Sequence, residues 1–116
     1  MTASPDTVFG KVLRKEIPAQ FVHEDDLCVV IRDIGPKAPV HLLVIPREPL
    51  ANLGEATPAH EALLGHLLFV AQSVAKKENV GDAFRIVINN GTGAGQTVHH
   101  LHVHVLGGRT MKWPPG

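Results

Sequence analysis

Along the chain the apolar positions change period several times, and each change predicts an element. Val8, Phe9, Val12 and Leu13 recur at helical spacing behind Asp6, a side chain able to cap. A short helix over residues 7–15 follows from that pattern, closed by Pro18. Residues 20–24 and 27–32 read as two strands around the Asp25-Asp26 turn, a hairpin. The stretch from Asp33-Ile34-Gly35-Pro36 to Pro39 is a loop. Residues 40–45 are apolar apart from His41, the pattern of a strand covered on both faces, and Pro46 and Pro49 lie beyond it. Thr57 as N-cap, with Pro58 at the first helical position, opens a long helix reaching about residue 78. Leu63, Leu67, Val70 and Val74 form its core stripe, widened by Leu64, Leu68, Ala71 and Ala75. Gly65 within it costs about 1 kcal/mol against alanine, which points to close packing at that position. Residues 84–89 predict a strand, 91–96 a glycine-rich loop, 98–106 a last strand and 107–116 an irregular tail. Short connections favour antiparallel pairing, because parallel neighbours need a long crossover. The expectation is an α+β domain over residues 1–116. It has an antiparallel meandering sheet of about five strands, one long helix and a short N-terminal helix.

Composition narrows the function. One cysteine, Cys28, leaves no disulfide within the chain and makes a reducing, cytoplasmic setting the default. Eleven Lys plus Arg balance eleven Asp plus Glu, which argues against a nucleic-acid binder, since that normally carries a basic excess. No apolar run approaches a membrane span, and the first residues show no basic-then-apolar export pattern. Two departures stand out. Four of the eight histidines fall between positions 99 and 104, and no acidic residue follows Asp82.

On a strand, His100, His102 and His104 share one face, while Leu101, Val103 and Val105 share the other, which belongs in the core. One or two such histidines would be ordinary surface residues; three at strict period two behind a glycine loop are not. Clustered imidazoles serve two chemistries. As metal ligands, the outer two lie ~13 Å apart along a strand, a poor span for one tetrahedral ion, and the carboxylate that hydrolytic zinc sites recruit is absent nearby. As a nucleophile, a neutral imidazole near pH 7 offers a free ring lone pair. Attack on phosphorus then needs a fixed tautomer, stabilised phosphoryl oxygens and a protonated leaving group. The stretch from Asn89 through Gly91, Gly93 and Gly95 to Gln96 and Thr97 offers N–H and side-chain donors, and Arg85, Arg109 and Lys112 supply positive charge. His23, His60 and His66 read as surface or helix-flank residues, His99 as packing or surface, Cys28 as a small core residue, and Glu24-Asp25-Asp26 as a solvated turn.

His100-Leu101-His102-Val103-His104-Val105-Leu106 matches the signature of the histidine triad (HIT) superfamily. The chain resembles its histidine triad nucleotide-binding (HINT) branch over nearly its whole length. The likeness includes Phe9-Gly10-Lys11, Lys15-Glu16-Ile17-Pro18, Asp33-Ile34, His41 within His-Leu-Leu-Val-Ile-Pro, Gly95-Gln96-Thr97 and the ending Trp113-Pro114-Pro115-Gly116. The resemblance implies a metal-independent, cofactor-free purine nucleoside 5′-phosphoramidate hydrolase, cleaving adenosine monophosphate from an amine through a nucleotidyl-histidine. It implies His102 as nucleophile, His100 orienting it through the backbone carbonyl, His104 on the phosphate and His41 behind the triad. Asp33 is expected on the ribose, Ile34, Phe9 and Val8 around the base, and Asn89, Gly95, Gln96 and Thr97 at the phosphate. A homodimer is implied too, its sheets joined edge to edge and Trp113 reaching the partner's site. Thr97 stands where many relatives carry serine, the residue that helps protonate the leaving amine. Two other readings are a nucleotide-binding interaction module without turnover and a zinc hydrolase.

Overall fold

Strands β1 (Phe21–Glu24) and β2 (Cys28–Arg32) form the expected hairpin, and β2 continues antiparallel onto β3 (Val40–Pro46). A computed structural model describes residues 3–116, so the first two residues of the expected domain lie outside the described part. Helix α2 (Glu61–Lys77) then crosses the sheet, and β4 (Phe84–Val87) and β5 (Val103–Gly107) complete it in the order β1-β2-β3-β5-β4. The chain is α+β with one antiparallel five-stranded sheet, although β5 sits inside the sheet and β4 at its edge. Among the described residues no helix is long and apolar enough to cross a membrane.

Both faces of the central strands are covered, which is why β3 reads as a continuous apolar run. On one face Val30, Leu42, Val44, Val103 and Val105 pack with Leu67, Val70, Ala71 and Val74 of α2. On the other, Val29, Ile31, Leu43 and Ile45 pack with Phe9 and Val12 of helix α1 (Val8–Leu13). Leu42, Ile45 and Leu67 are almost wholly buried, each contributing about 1.5–3 kcal/mol of transfer free energy.

Local chemistry moved several boundaries. The cap of α1 is Thr7, whose Oγ1 accepts the Gly10 N–H at 3.0 Å, and not Asp6. A Cβ at Gly10 would sit 2.5 Å from the Pro5 carbonyl oxygen, so the first turn of α1 closes against the preceding chain only with glycine there. The Thr57-Pro58 signal opens a 3-10 turn, Pro58–His60, and α2 begins after it. Leu68, expected in the core stripe, is about half exposed, and Gly65 has open space where a Cβ would stand, so close packing does not explain it. Strand β4 ends at Val87, short of residue 89.

The largest correction concerns the last strand, expected over 98–106. It begins at Val103, because β3 ends at Pro46, which has no N–H to offer a longer ladder. Upstream of β5 the chain is held by other bonds: the Leu101 N–H donates to the Leu50 carbonyl at 2.8 Å, and His100 Nε2 donates to the Pro46 carbonyl at 2.8 Å. Only His104 of the three alternating histidines therefore lies on a strand.

Candidate active site

A cleft of about 280 Å³ opens between α1, the end of β2 and the start of β5. Val8, Phe9, Asp33, Ile34, Thr97, His102 and His104 line it, so seven of the residues singled out from sequence meet at one place. Ile34 is fully exposed at the rim and Val8 about half exposed, an apolar mouth, while Phe9 is buried. The Phe9 ring meets the His102 ring edge-on, centroids 4.8 Å apart at 74°, so Phe9 braces the imidazole as well as forming the floor.

A second and wider cleft of about 610 Å³ shares His104 with the first and includes His41, Asn89, Arg85, Arg109 and Lys112. The positive groups that follow Asp82 in sequence thus surround the far side of His104. Trp113 lines neither cleft; it is exposed, with the Arg85 guanidinium carbon 5.9 Å from the centre of its ring.

The hydrogen bonds assign the ring protons. His102 Nδ1 lies 2.7 Å from the His100 carbonyl oxygen, an acceptor only, so the hydrogen is on Nδ1 and the lone pair on Nε2. The Lys37 N–H donates to His41 Nδ1 at 3.0 Å, which puts the His41 hydrogen on Nε2. His41 Nε2–H donates to His104 Nδ1 at 2.9 Å, leaving His104 with its hydrogen on Nε2. His100 is buried and donates to the Pro46 carbonyl. The chain of bonds therefore leaves one imidazole with a lone pair on Nε2 and its neighbour, 5.0 Å away by ring centroid, with an N–H on Nε2.

Burial keeps these rings neutral. It pushes His41, His100 and His102 below the ordinary imidazole value, against the raising influence of Asp33 on His41 and His102 and of the Pro46 carbonyl on His100. His104 is lowered to about 4 by burial, then by His102 and His41. Near pH 7 the set is neutral, the state in which His102 Nε2 has a lone pair.

Asp33 accepts the Gly35 N–H on Oδ1 at 2.7 Å, and its Oδ2 lies 3.5 Å from His41 Nε2. Asp33, His41 and His104 form one of two donor groups of metal-binding proximity among the described residues. The facing nitrogens of those two imidazoles are spent on each other, so they turn no free lone pair toward Asp33.

The glycine-rich segment is not a simple flexible loop. Thr92–Ala94 make a 3-10 turn, and Gly91 and Gly95 take φ of 88° and 95°, which side chains rarely adopt. Gln96 is buried: its Oε1 accepts the Gly91 N–H, and its Nε2 donates to the Ala51 and Val98 carbonyls. Its side chain shapes the segment and has no donor left for a ligand, contrary to the role as a side-chain donor anticipated from sequence. Gly95 lies beside Asn89, whose Nδ2 is 3.7 Å from where a Cβ would stand. Thr97 is exposed at the cleft.

Sequence reasoning missed the Pro46 carbonyl and the Lys37 N–H, which decide two of the tautomers. Both are backbone atoms that no residue type announces. Cys28 is buried as expected, and burial, then Asp25, pushes its thiol up to about 12. His99 is exposed as expected. His23 and His66 are not simple surface residues: both point Nε2 at the Asp25 carboxylate.

The HIT domain family matches residues 14–111. The chain is 58% identical over 113 residues to an uncharacterized HIT-like protein of Synechococcus elongatus, covering 97% of this chain and 99% of that protein. It is 51% identical over 113 residues to a 14 kDa zinc-binding protein of Brassica juncea, covering 96% of this chain and all of that one. Among solved structures, a HIT family hydrolase from Legionella pneumophila superposes with a TM-score of 0.93 at 41% identity, covering 96% of this chain and 100% of that one.

Proposed function

The chain belongs to the HIT domain family, and from that premise we propose that it is a purine nucleoside 5′-phosphoramidate hydrolase working through His102. The observation that carries the reading is the fixed tautomer: His102 presents Nε2 as a lone pair because its Nδ1–H is held by the His100 carbonyl. The hydrolase named in Legionella pneumophila, so similar in fold, supports a hydrolytic reaction.

In the proposed reaction the base lies against Val8, Ile34 and Phe9, and the ribose hydroxyls donate to Asp33. His102 Nε2 attacks phosphorus and the P–N bond breaks, giving a cationic nucleotidyl-imidazolium, while the amine leaves with a proton taken from solvent water and relayed through the Thr97 hydroxyl. His104 Nε2–H donates to a phosphoryl oxygen, with Asn89 and the N–H groups around Gly95 alongside. Water then attacks the nucleotidyl-histidine, releasing the nucleoside monophosphate and restoring neutral His102. No metal or cofactor enters either step. The unit we propose is a homodimer, sheets joined edge to edge, in which exposed Trp113 reaches the partner's cleft.

Incubation with adenosine monophosphate joined to an amine, quenched early and mapped by mass spectrometry, tests the reading. Adenylate on His102 is the expected result. Adenylate on another residue, or turnover with none on His102, overturns it. Tight nucleotide binding without turnover on any phosphoramidate favours a binding module instead.

A further inference from the structure

A second cluster of chemistry-bearing side chains lies away from the cleft, on the α2 side of the sheet. Cys28, the first residue of β2, is completely buried in the core beneath α2. His23 pairs across the hairpin with Val30, which packs on that same face. Asp25 turns the chain between them, its Oδ1 accepting the N–H groups of Leu27 and Cys28 at 2.7 and 2.8 Å. The other oxygen, Oδ2, is approached by His23 Nε2 at 2.7 Å, by Cys28 Sγ at 3.7 Å and, from α2, by His66 Nε2 at 2.8 Å. Donor atoms of His23, Asp25 and Cys28 all lie within 4.8 Å of one another.

We propose that His23, Asp25, Cys28 and His66 form a structural site for a divalent zinc-class cation, clamping the β1–β2 turn to helix α2. Two imidazole nitrogens, a thiolate and a carboxylate oxygen are the donor types zinc takes in fourfold coordination. At bond lengths of ~2.0–2.3 Å, tetrahedral ligand atoms stand ~3.3–3.8 Å apart. The donor atoms of His23, Asp25 and Cys28 already lie within 4.8 Å of one another, and His66 Nε2, 2.8 Å from Asp25 Oδ2 but outside that group, has to swing in from α2 as the fourth ligand. Charge also fits. Carboxylate and thiolate together neutralise a divalent ion, which suits a site whose His23, Asp25 and His66 side chains are each only about one-third exposed. The nearby Arg47 does not oppose it outright: its Nε is held by the Asp25 carbonyl and its terminal nitrogen lies 3.9 Å from Glu24. On binding, both histidines offer Nε2 as a lone pair, their hydrogens moving to Nδ1, and a Zn–S bond forms as the Cys28 thiol proton passes to water. Binding joins residues 41 positions apart, Asp25 and His66, and so stabilises the folded chain.

The test uses the full chain, reduced and stripped with a chelator, then titrated with Co²⁺ alone and with Zn²⁺ alone. One equivalent of Co²⁺ is expected to give thiolate-to-metal charge-transfer absorption with tetrahedral visible bands, and Zn²⁺ to displace it and raise Tm. His23→Gln and His66→Gln, at partly exposed positions that leave the fold intact, are expected to weaken binding more than about tenfold each, the low end of what outer-sphere losses already cost. Cys28→Ser removes the charge-transfer band. His102→Ala leaves band and affinity unchanged. A wild-type chain without thiolate absorption, an affinity unmoved by both histidine variants, or binding abolished by His102→Ala overturns the proposal.

Discussion

His102 donates its Nδ1 hydrogen to the backbone carbonyl of His100 across 2.7 Å, two residues back along the same segment. A side chain thus takes its tautomer from main chain, and the main chain holds that position because the His100 ring is itself anchored on the Pro46 carbonyl. The nucleophile of the proposed reaction is set by two bonds to carbonyl oxygens and by no acidic side chain.

His102→Ala is expected to lower single-turnover cleavage of an adenosine phosphoramidate by roughly 10⁴-fold or more, the scale at which a covalent nucleophile is missed. Adenosine monophosphate affinity, measured by calorimetry, should change little, because Phe9, Ile34 and Asp33 still line the cleft.

Acid should act on stability through His104. Its folded value, about 4, lies below the ordinary ~6.5, so the unfolded chain binds the proton more readily. The stabilisation from keeping this ring neutral is complete above ~6.5 and is lost as pH falls toward about 4. Urea midpoints at pH 7.5, 5.5 and 4.5 are expected to fall, and His104→Asn to flatten that decline. The rate should follow the same direction: with His102 also lowered by burial, kcat/KM is expected to be flat through neutrality and to fall only on acidification.

Gln96→Glu keeps an acceptor for the Gly91 N–H but loses the donor to the Ala51 and Val98 carbonyls. About 1–3 kcal/mol of stability should go with it. The accompanying rise in KM, larger than any fall in kcat, would reflect a loosened 91–96 segment.

Thr97→Ser keeps the hydroxyl and removes the methyl that stiffens χ1. The release of amine should accelerate several-fold, read as kcat with substrates whose amine is a poor leaving group. Unchanged rates across a series of amines would remove Thr97 from that step.

Leu67→Ala tests the core apart from the chemistry. Leu67 is almost wholly buried between α2 and the sheet, so a loss of about 2–5 kcal/mol is expected in urea unfolding, with turnover per folded molecule retained.

Much of this was legible from local sequence. The apolar run of β3, the stripe Leu67, Val70, Val74 and the alternation of Leu101, Val103 and Val105 all mark burial, because period and burial are linked through backbone geometry alone. Of the residues that meet in the cleft, His102, His104 and Thr97 could be named in advance from their types and spacing, whereas Val8, Phe9, Asp33 and Ile34 rested on the resemblance to the HINT branch. What could not be read is where alternation stops being a strand. Pro46, more than fifty positions from His100, ends the ladder and then holds the His100 ring. Nor could sequence tell that Gln96 is spent inside its own segment, or that His23 and His66 converge on Asp25. Periodicity and residue chemistry are local properties and belong to the sequence. Tautomers, spent donors and convergent side chains depend on which backbone atoms lie three ångströms away, and only the tertiary structure decides that.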